Sequence, residues 1–165
     1  MVAMDAAICK GYRPGCIGKI VALHALYYSD VAGFGVRFEA KVAKELSEFC
    51  ERYNEHRDGL WLALRDGEIH GSIAIDAIHA ETQGAHLRWF ITAEGVRGKG
   101  IGNALISSAV EFCRSNNYKR VYLWTFEGLA AARHLYEKYG FRLALQQRGT
   151  QWGTEVTEQL FELRS

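Results

Sequence analysis

Arg97, Gly98, Lys99, Gly100, Ile101 and Gly102 form the most glycine-dense stretch of the chain and set two cations among three glycines. Apolar alternation precedes this stretch and a helical stripe follows it, so it joins a strand to a helix. At such a junction the unpaired N–H groups of the first helical turn point outward and the helix dipole is positive. Glycines let that backbone approach an anion closely, and a phosphate or pyrophosphate is the natural ligand. Arg97 and Lys99 would add charge. A tight turn without a ligand is the competing reading of the glycines alone. Two better-known phosphate loops do not fit. A P-loop needs Lys and then Ser or Thr directly after its last glycine, and Gly100 is followed by Ile101-Gly102. The dinucleotide fingerprint needs a third glycine where Asn103 stands, in an early strand–helix–strand unit with an acidic residue about twenty residues on.

The elements that must position this turn are legible from periodicity. A short apolar stretch, Ala6 to Tyr12, reads as a strand, and Pro14 is placed to open a helix because its missing N–H is one the first turn leaves unpaired. Ile17, Ile20, Val21, His24, Tyr27 and Tyr28 recur at helical spacing to about Asp30. A turn over Ala32 to Gly35 leads to a second helix whose stripe is Phe38, Val42, Leu46, Phe49 and Tyr53. Leu60 to Leu64 and Glu68 to Ile75 read as strands joined by the hairpin signal Asp66-Gly67. A fourth strand runs from about Ala85 to Thr92, ahead of the glycine turn and its helix. Arg120 to Thr125 is a strand, Leu129 to Tyr136 a helix stopped by Gly140, and two last strands run over Phe141 to Gln147 and Glu155 to Leu163. This order predicts an α+β chain: a mixed sheet with helices on both faces.

With 165 residues, 48% of them hydrophobic, residues 1–165 are expected to form a single domain with a real core. Lys plus Arg number 20 against 19 Asp plus Glu, so the basic excess of a nucleic-acid binder is missing. Cys9, Cys16, Cys50 and Cys113 lack the short spacing of a zinc knuckle or redox dithiol, and read as reduced thiols. No metal is expected. There is no signal-peptide pattern at the N-terminus and no apolar run of roughly eighteen residues, so the expectation is a cytoplasmic protein without a membrane span.

Arg97-x-x-Gly100-x-Gly102 resembles the coenzyme A pyrophosphate motif of the GCN5-related N-acetyltransferase (GNAT) superfamily. Ala132-x-x-Leu135-Tyr136-x-x-x-Gly140-Phe141 resembles a second signature of that family, at about the expected distance. The element order agrees with the family's fold over nearly the whole chain. The resemblance implies a mostly antiparallel sheet of about seven strands, splayed between strands 4 and 5. Four stretches resemble one subgroup more narrowly: His86-Leu87-Arg88-Trp89-Phe90, Leu123-Trp124-Thr125, Ala131 to Tyr136, and Gln151-Trp152-Gly153. In that subgroup the domain is often fused behind a MarR-type winged helix. The expectation is that no such domain precedes this one, since the first strand begins within a few residues of Met1.

The resemblance implies acetyl-coenzyme A as co-substrate. Its pantetheine arm would lie along Phe90, Ile91 and Thr92, and its pyrophosphate on N–H groups from Arg97, Gly98, Lys99, Gly100, Ile101 and Gly102, with Asn103 nearby. Tyr136 matches the tyrosine that often protonates the departing thiolate, and a thiolate leaves more easily as it is protonated. Packing in the core is the competing role for that ring. Leu129 stands where many members place an asparagine that contacts the cofactor arm.

The acceptor amine must be neutral to attack, which at pH 7.4 costs roughly 4 kcal/mol for an alkyl amine unless a base or water relay removes the proton. His86 lies where some members carry a carboxylate base, and alternation puts His86, Arg88 and Phe90 on one face of the fourth strand. Glu158 is a comparable candidate; His24 and His134 follow. No cysteine adjoins the motif, so direct attack in a ternary complex is expected rather than an acetyl-cysteine intermediate. The family's first helices and last strands usually line the acceptor site. Here they offer His24, Tyr27, Tyr28, Phe34, Trp124 and Trp152, which are otherwise core rings. The acceptor, a small molecule or a peptide, stays open, and the resemblance allows a homodimer. Two other readings stand beside an acetyltransferase: a non-catalytic acyl-coenzyme A sensor, and a glycine-turn domain for some other phosphate ligand.

Overall fold

The computed structural model describes residues 6–96 and 100–165. Strand β1 (Ala7–Lys10) is followed by helices α1 (Cys16–Ala32) and α2 (Val36–Glu51) and by strands β2 (Gly59–Arg65), β3 (Glu68–Asp76) and β4 (Ala85–Thr92). Then come α3 (Ile101–Ser115), β5 (Arg120–Phe126), α4 (Ala130–Lys138), β6 (Arg142–Gly149) and β7 (Val156–Arg164). The seven strands form one sheet in the order β1-β2-β3-β4-β5-β7-β6. All neighbours are antiparallel except β4 and β5, which run parallel.

Pro14 has a different task from the one expected. Cys16 N–H donates to Arg13 O at 3.0 Å, and Gly15 has φ 90° and ψ −8°. That is the geometry of a type II turn, with Pro14 at its second position and glycine at the third. Helix α1 therefore starts two residues after the proline. The Asp66-Gly67 hairpin is as read: φ is 51° and 77° at its two residues, as a primed turn requires.

The sheet separates two cores. On one face α1 and α2 bury Ile20, Phe38, Val42, Leu46 and Phe49 against Leu60, Leu62 and Trp89. On the other, α3 and α4 bury Leu105, Ile106, Val110 and Tyr136 against Leu87, Leu123, Phe141 and Phe161.

The decisive irregularity lies on β4. Ser72 pairs with Ile91 and Ala74 with Arg88, so one residue of β3, Ile73, faces two of β4, Trp89 and Phe90. This is a β-bulge, and Trp89 takes φ 49° to make it. Ser72 Oγ donates to Trp89 O at 2.7 Å inside the sheet. The bulge overturns the expected shared face. Ala85 and Leu87 face α3, yet Trp89 joins the α1/α2 core, and Phe90 packs toward the α3/α4 core. Arg88 stays on the α2 side, joined to Glu45. Phe90 thus leaves the face of His86 and Arg88, because an extra residue shifts the two-residue period by one.

The bulge also marks where the sheet parts. Strands β4 and β5 pair only through Ala85 with Val121 and His86 with Tyr122. From Leu87 onward β4 keeps β3 on one side and borders a gap on the other.

Removing the Ser72 hydroxyl leaves the Trp89 carbonyl without its buried donor. Ser72→Ala should lower unfolding free energy by about 1–2 kcal/mol, measured by urea denaturation. His24 on α1 is 5% exposed and its Nδ1–H donates to Ile20 O at 2.8 Å. Burial brings its pKa down from 6.5 to about 4. Between those values the unfolded chain binds a proton that the native ring refuses, so stability falls as pH drops from 6.5 toward 4. His24→Leu should remove about 2 kcal/mol of that loss; an unchanged pH dependence would place the loss in other groups.

Candidate active site

Two cavities occupy the gap between β4 and β5 and meet at Tyr28, Phe90 and Phe126, which line both. The first, about 500 Å³, runs along Phe90, Ile91 and Thr92 to Gly100, Gly102 and Asn103 at the start of α3. Its opposite wall is the turn before α4, Glu127 to Ala132, together with Leu135. The second, about 320 Å³, opens toward α1 and α2. Together they form a channel crossing the sheet where it parts.

The first cavity collects most of the residues expected around a phosphate-bearing arm. Gly100 caps α3 with φ 78°, a left-handed conformation that glycine takes without strain. No acidic side chain stands in the first turn, so the N–H groups there keep their positive field. Asn103 is held by its neighbours: its Oδ1 accepts from Lys138 Nζ at 2.9 Å and from Tyr139 OH at 2.8 Å. Ile101 turns its side chain into the α3 core, so it contributes backbone at most. Leu129 lines the cavity with an apolar side chain. Arg97, Gly98 and Lys99 lie outside the described residues.

Lys138 carries no signature in the sequence, yet its ammonium sits beside the first turn of α3. A cation at a helix N-terminus opposes the dipole, and a bound anion relieves that opposition. The helix N-terminus at this end of the cavity therefore suits an anion.

Tyr136 projects from α4 into the second cavity. It is 6% exposed, with Phe90, Phe141 and Phe161 around its ring at 6.0–6.1 Å between centroids. Burial pushes its pKa far above that of a free phenol, so the hydroxyl keeps its proton and acts as a hydrogen-bond donor.

The second cavity has an aromatic wall and a charged wall. Tyr28, Phe34, Phe38, Phe126 and Trp152 interlock with centroid separations of 5.0–6.2 Å. Facing them are Lys41 and Glu45 of α2 and His86 and Arg88 of β4. The Glu45 carboxylate bridges Lys41 Nζ at 2.9 Å and the Arg88 guanidinium. Behind it Asp76, 6% exposed, accepts two bonds from Arg52 at 3.0 and 2.8 Å and lies 3.5 Å from Arg88.

The other candidates are sorted by this geometry. His24 and Trp124 line the second cavity; Tyr28 lines both; Tyr27 lines the first cavity, on the cofactor side. His86 stacks on Tyr122 at 4.5 Å, and burial together with the charge of Arg88 brings its pKa down to about 3. Such a ring is neutral but holds an incoming proton weakly, which argues against it as the base. The His24 ring is neutral as well; because Ile20 O can only accept, Nδ1 carries the hydrogen and Nε2 the lone pair. Glu158 does not line the cavity. It is 3% exposed and accepts from Gln151 N–H at 3.0 Å and Gln147 Nε2 at 3.4 Å, which holds the β6–β7 loop that carries Trp152. Lys41, Glu45 and Arg88 were absent from the expected site. Single charges at helical and strand positions look like solvated faces until the helix is laid on the strand.

The model of the acetyltransferase (GNAT) family matches residues 20–141. The rat N-acetylaspartate synthetase is 39% identical over 143 residues, covering 86% of this chain and 48% of the relative. The human N-acetylaspartate synthetase is 29% identical over 143 residues, 86% and 47% of the two chains. The chain spans about half the length of the curated relatives it matches. Among solved structures, yncA of Salmonella typhimurium with its cofactor acetyl-CoA has a TM-score of 0.76 at 15% identity, covering 98% of this chain and 94% of that one. These relatives do not bear out the narrower likeness to repressor-fused proteins. The short stretches behind it lie on cavity walls and core strands that the wider fold shares, so they carry little subgroup information. A channel with a helix N-terminus at one end, and a family match spanning most of both helix pairs, lead to one conclusion: the chain belongs to the acetyltransferase (GNAT) family.

Proposed function

We propose that the chain transfers the acetyl group of acetyl-coenzyme A to the amine of a small, carboxylate-bearing acceptor, with aspartate the first candidate. The observation that carries this is the channel itself. One end presents N–H groups and Lys138 to an anion, and the other presents Lys41 and Arg88 to the acceptor. Among the charged groups of the acceptor wall and its support, Lys41, Arg52 and Arg88 outnumber Glu45 and Asp76 by three to two. A simple amine is cationic in water and gains nothing from such a wall. An amino acid brings carboxylate as well, and Arg takes carboxylates with strong, directional bonds. The names of the rat and human relatives and the acetyl-CoA bound by the Salmonella protein support the two substrates.

In this reading the cofactor arm lies along Phe90, Ile91 and Thr92, and its diphosphate rests at Gly100 to Asn103 and beside Lys138. Coenzyme A supplies an activated thioester. Tyr136, Phe90 and Phe126 enclose the junction where acyl group and amine meet and exclude water from it. Burial and the nearby cations disfavour an ammonium, which lowers the cost of exposing the neutral amine. Both histidines of the cavity hold a proton weakly, so the amine proton leaves by water on the acceptor side of the junction, with His24 Nε2 as an acceptor on the wall. Tyr136 donates its hydroxyl proton toward the departing sulfur.

Thiol release should be measured with aspartate, glutamate, alanine and a simple alkyl amine as acceptors. The carboxylate-bearing amines should turn over best. Arg88→Gln should raise the aspartate KM by about tenfold or more and change that of the alkyl amine little; equal rates for all acceptors would sink the proposal. Cofactor binding with no turnover would return the chain to the sensor reading. Tyr136→Phe should lower kcat by roughly 10–100-fold at nearly constant KM, and an unchanged kcat would remove its role as donor.

A further inference from the structure

We propose that Glu45 is an internal competitor for the acceptor's second carboxylate: it occupies Lys41 and Arg88 and holds down the affinity for dicarboxylic acceptors, which must displace it. The inference rests on the carboxylate reading above and deepens it.

Two carboxylates flank Arg88, and they differ in freedom. Asp76 is buried and held by two bonds from Arg52, which caps the end of α2. It cannot leave without stranding an arginine. Glu45 stands on the cavity side of α2 with 30% of its side chain exposed, and its partners are Lys41, 36% exposed, and Arg88, 18% exposed. Partly exposed ion pairs are weaker than buried ones and can exchange with other anions. A rotation of the Glu45 side chain would carry its carboxylate to solvent and open both cations to the cavity.

The charged partners of Arg88 and Lys41, with the arginine that holds Asp76 and the histidines of the same cavity, are Glu45, Asp76, Arg52, His86 and His24. Burial keeps both histidines neutral. With Glu45 in place the cluster carries one net positive charge; with Glu45 withdrawn it carries two. A dicarboxylic amino acid can therefore exchange for Glu45 one for one and still leave a carboxylate to pair. An acceptor without a spare carboxylate has nothing to exchange, so Glu45 stays on its two cations and does not affect the binding of that acceptor.

The test is steady-state kinetics of the full chain at saturating acetyl-coenzyme A, with aspartate and alanine as acceptors. Glu45→Gln keeps the size of the side chain and removes the competing charge. The aspartate KM should fall roughly threefold to tenfold, the range open to a partly exposed ion pair, and the alanine KM should change less than about twofold. Glu39→Gln, in the first turn of α2 and exposed, should leave both values unchanged. An aspartate KM that rises in Glu45→Gln, or an equal shift for both acceptors, overturns the assignment, because Glu45 would then only brace Arg88. These outcomes are separable from failure of the carboxylate reading, which would show as no preference for aspartate over alanine in the unsubstituted protein.

Discussion

Everything in the site depends on the early parting of two parallel strands. β4 and β5 share two residue pairs and then diverge, leaving backbone of β4 beside open space. Buried backbone without partners is costly, so such a gap persists only if the surrounding structure holds it open. The bulge at Trp89 does this. It bends β4 away, anchors itself through Ser72, and drives a large indole into the α1/α2 core, where Phe49 packs on it at 5.4 Å. The same shift of one residue sends Phe90 to the channel junction. A strained φ at one tryptophan thus separates the two cavities and joins them at one point.

The acceptor wall shows how a small domain keeps charge near its core. Arg52, Asp76, Arg88, Glu45 and Lys41 form one alternating chain of charge from the end of α2 to its middle. Each buried member has a partner, which offsets the cost of its desolvation. The outermost link, at Glu45, is the most exposed and the easiest to exchange. Rigidity at Asp76 and freedom at Glu45 follow from burial alone. Opposite this wall the aromatic cluster around Phe34 supplies shape, and the loop held by Glu158 closes it with Trp152. Charged and aromatic side chains are thereby kept on opposite walls of one cavity.

Much of this was legible without coordinates. The order of strands and helices, the Asp66-Gly67 hairpin and the helix-opening glycines follow from local rules: periods of 2 and 3.6, and backbone freedom where φ must be positive. The first cavity was readable for the same reason, since one of its walls is drawn from the end of β4 and the start of α3, neighbours in the chain. The resemblance of Tyr136 to a family tyrosine put it in the site, and α4 carries it there.

What the chain alone could not decide is set by long-range contacts. The insertion of β7 between β5 and β6 pairs residues more than thirty positions apart, as Arg120 with Arg164, and no local pattern encodes it. The bulge is a mismatch between two strands, invisible in either one. It cancels the shared face expected for His86, Arg88 and Phe90. Pro14 was misplaced because a Pro-Gly pair satisfies both a turn and a helix start until the hydrogen bond from Cys16 to Arg13 is known. Glu158 anchors a loop, and Lys41 and Glu45, which lie off the apolar stripe of α2, become cavity wall once α2 and the β6–β7 loop are docked. Local sequence determined the elements and the glycine that opens α3. Packing across the sheet decided which charges face the second cavity, because charge acquires direction only when another element comes within reach of it.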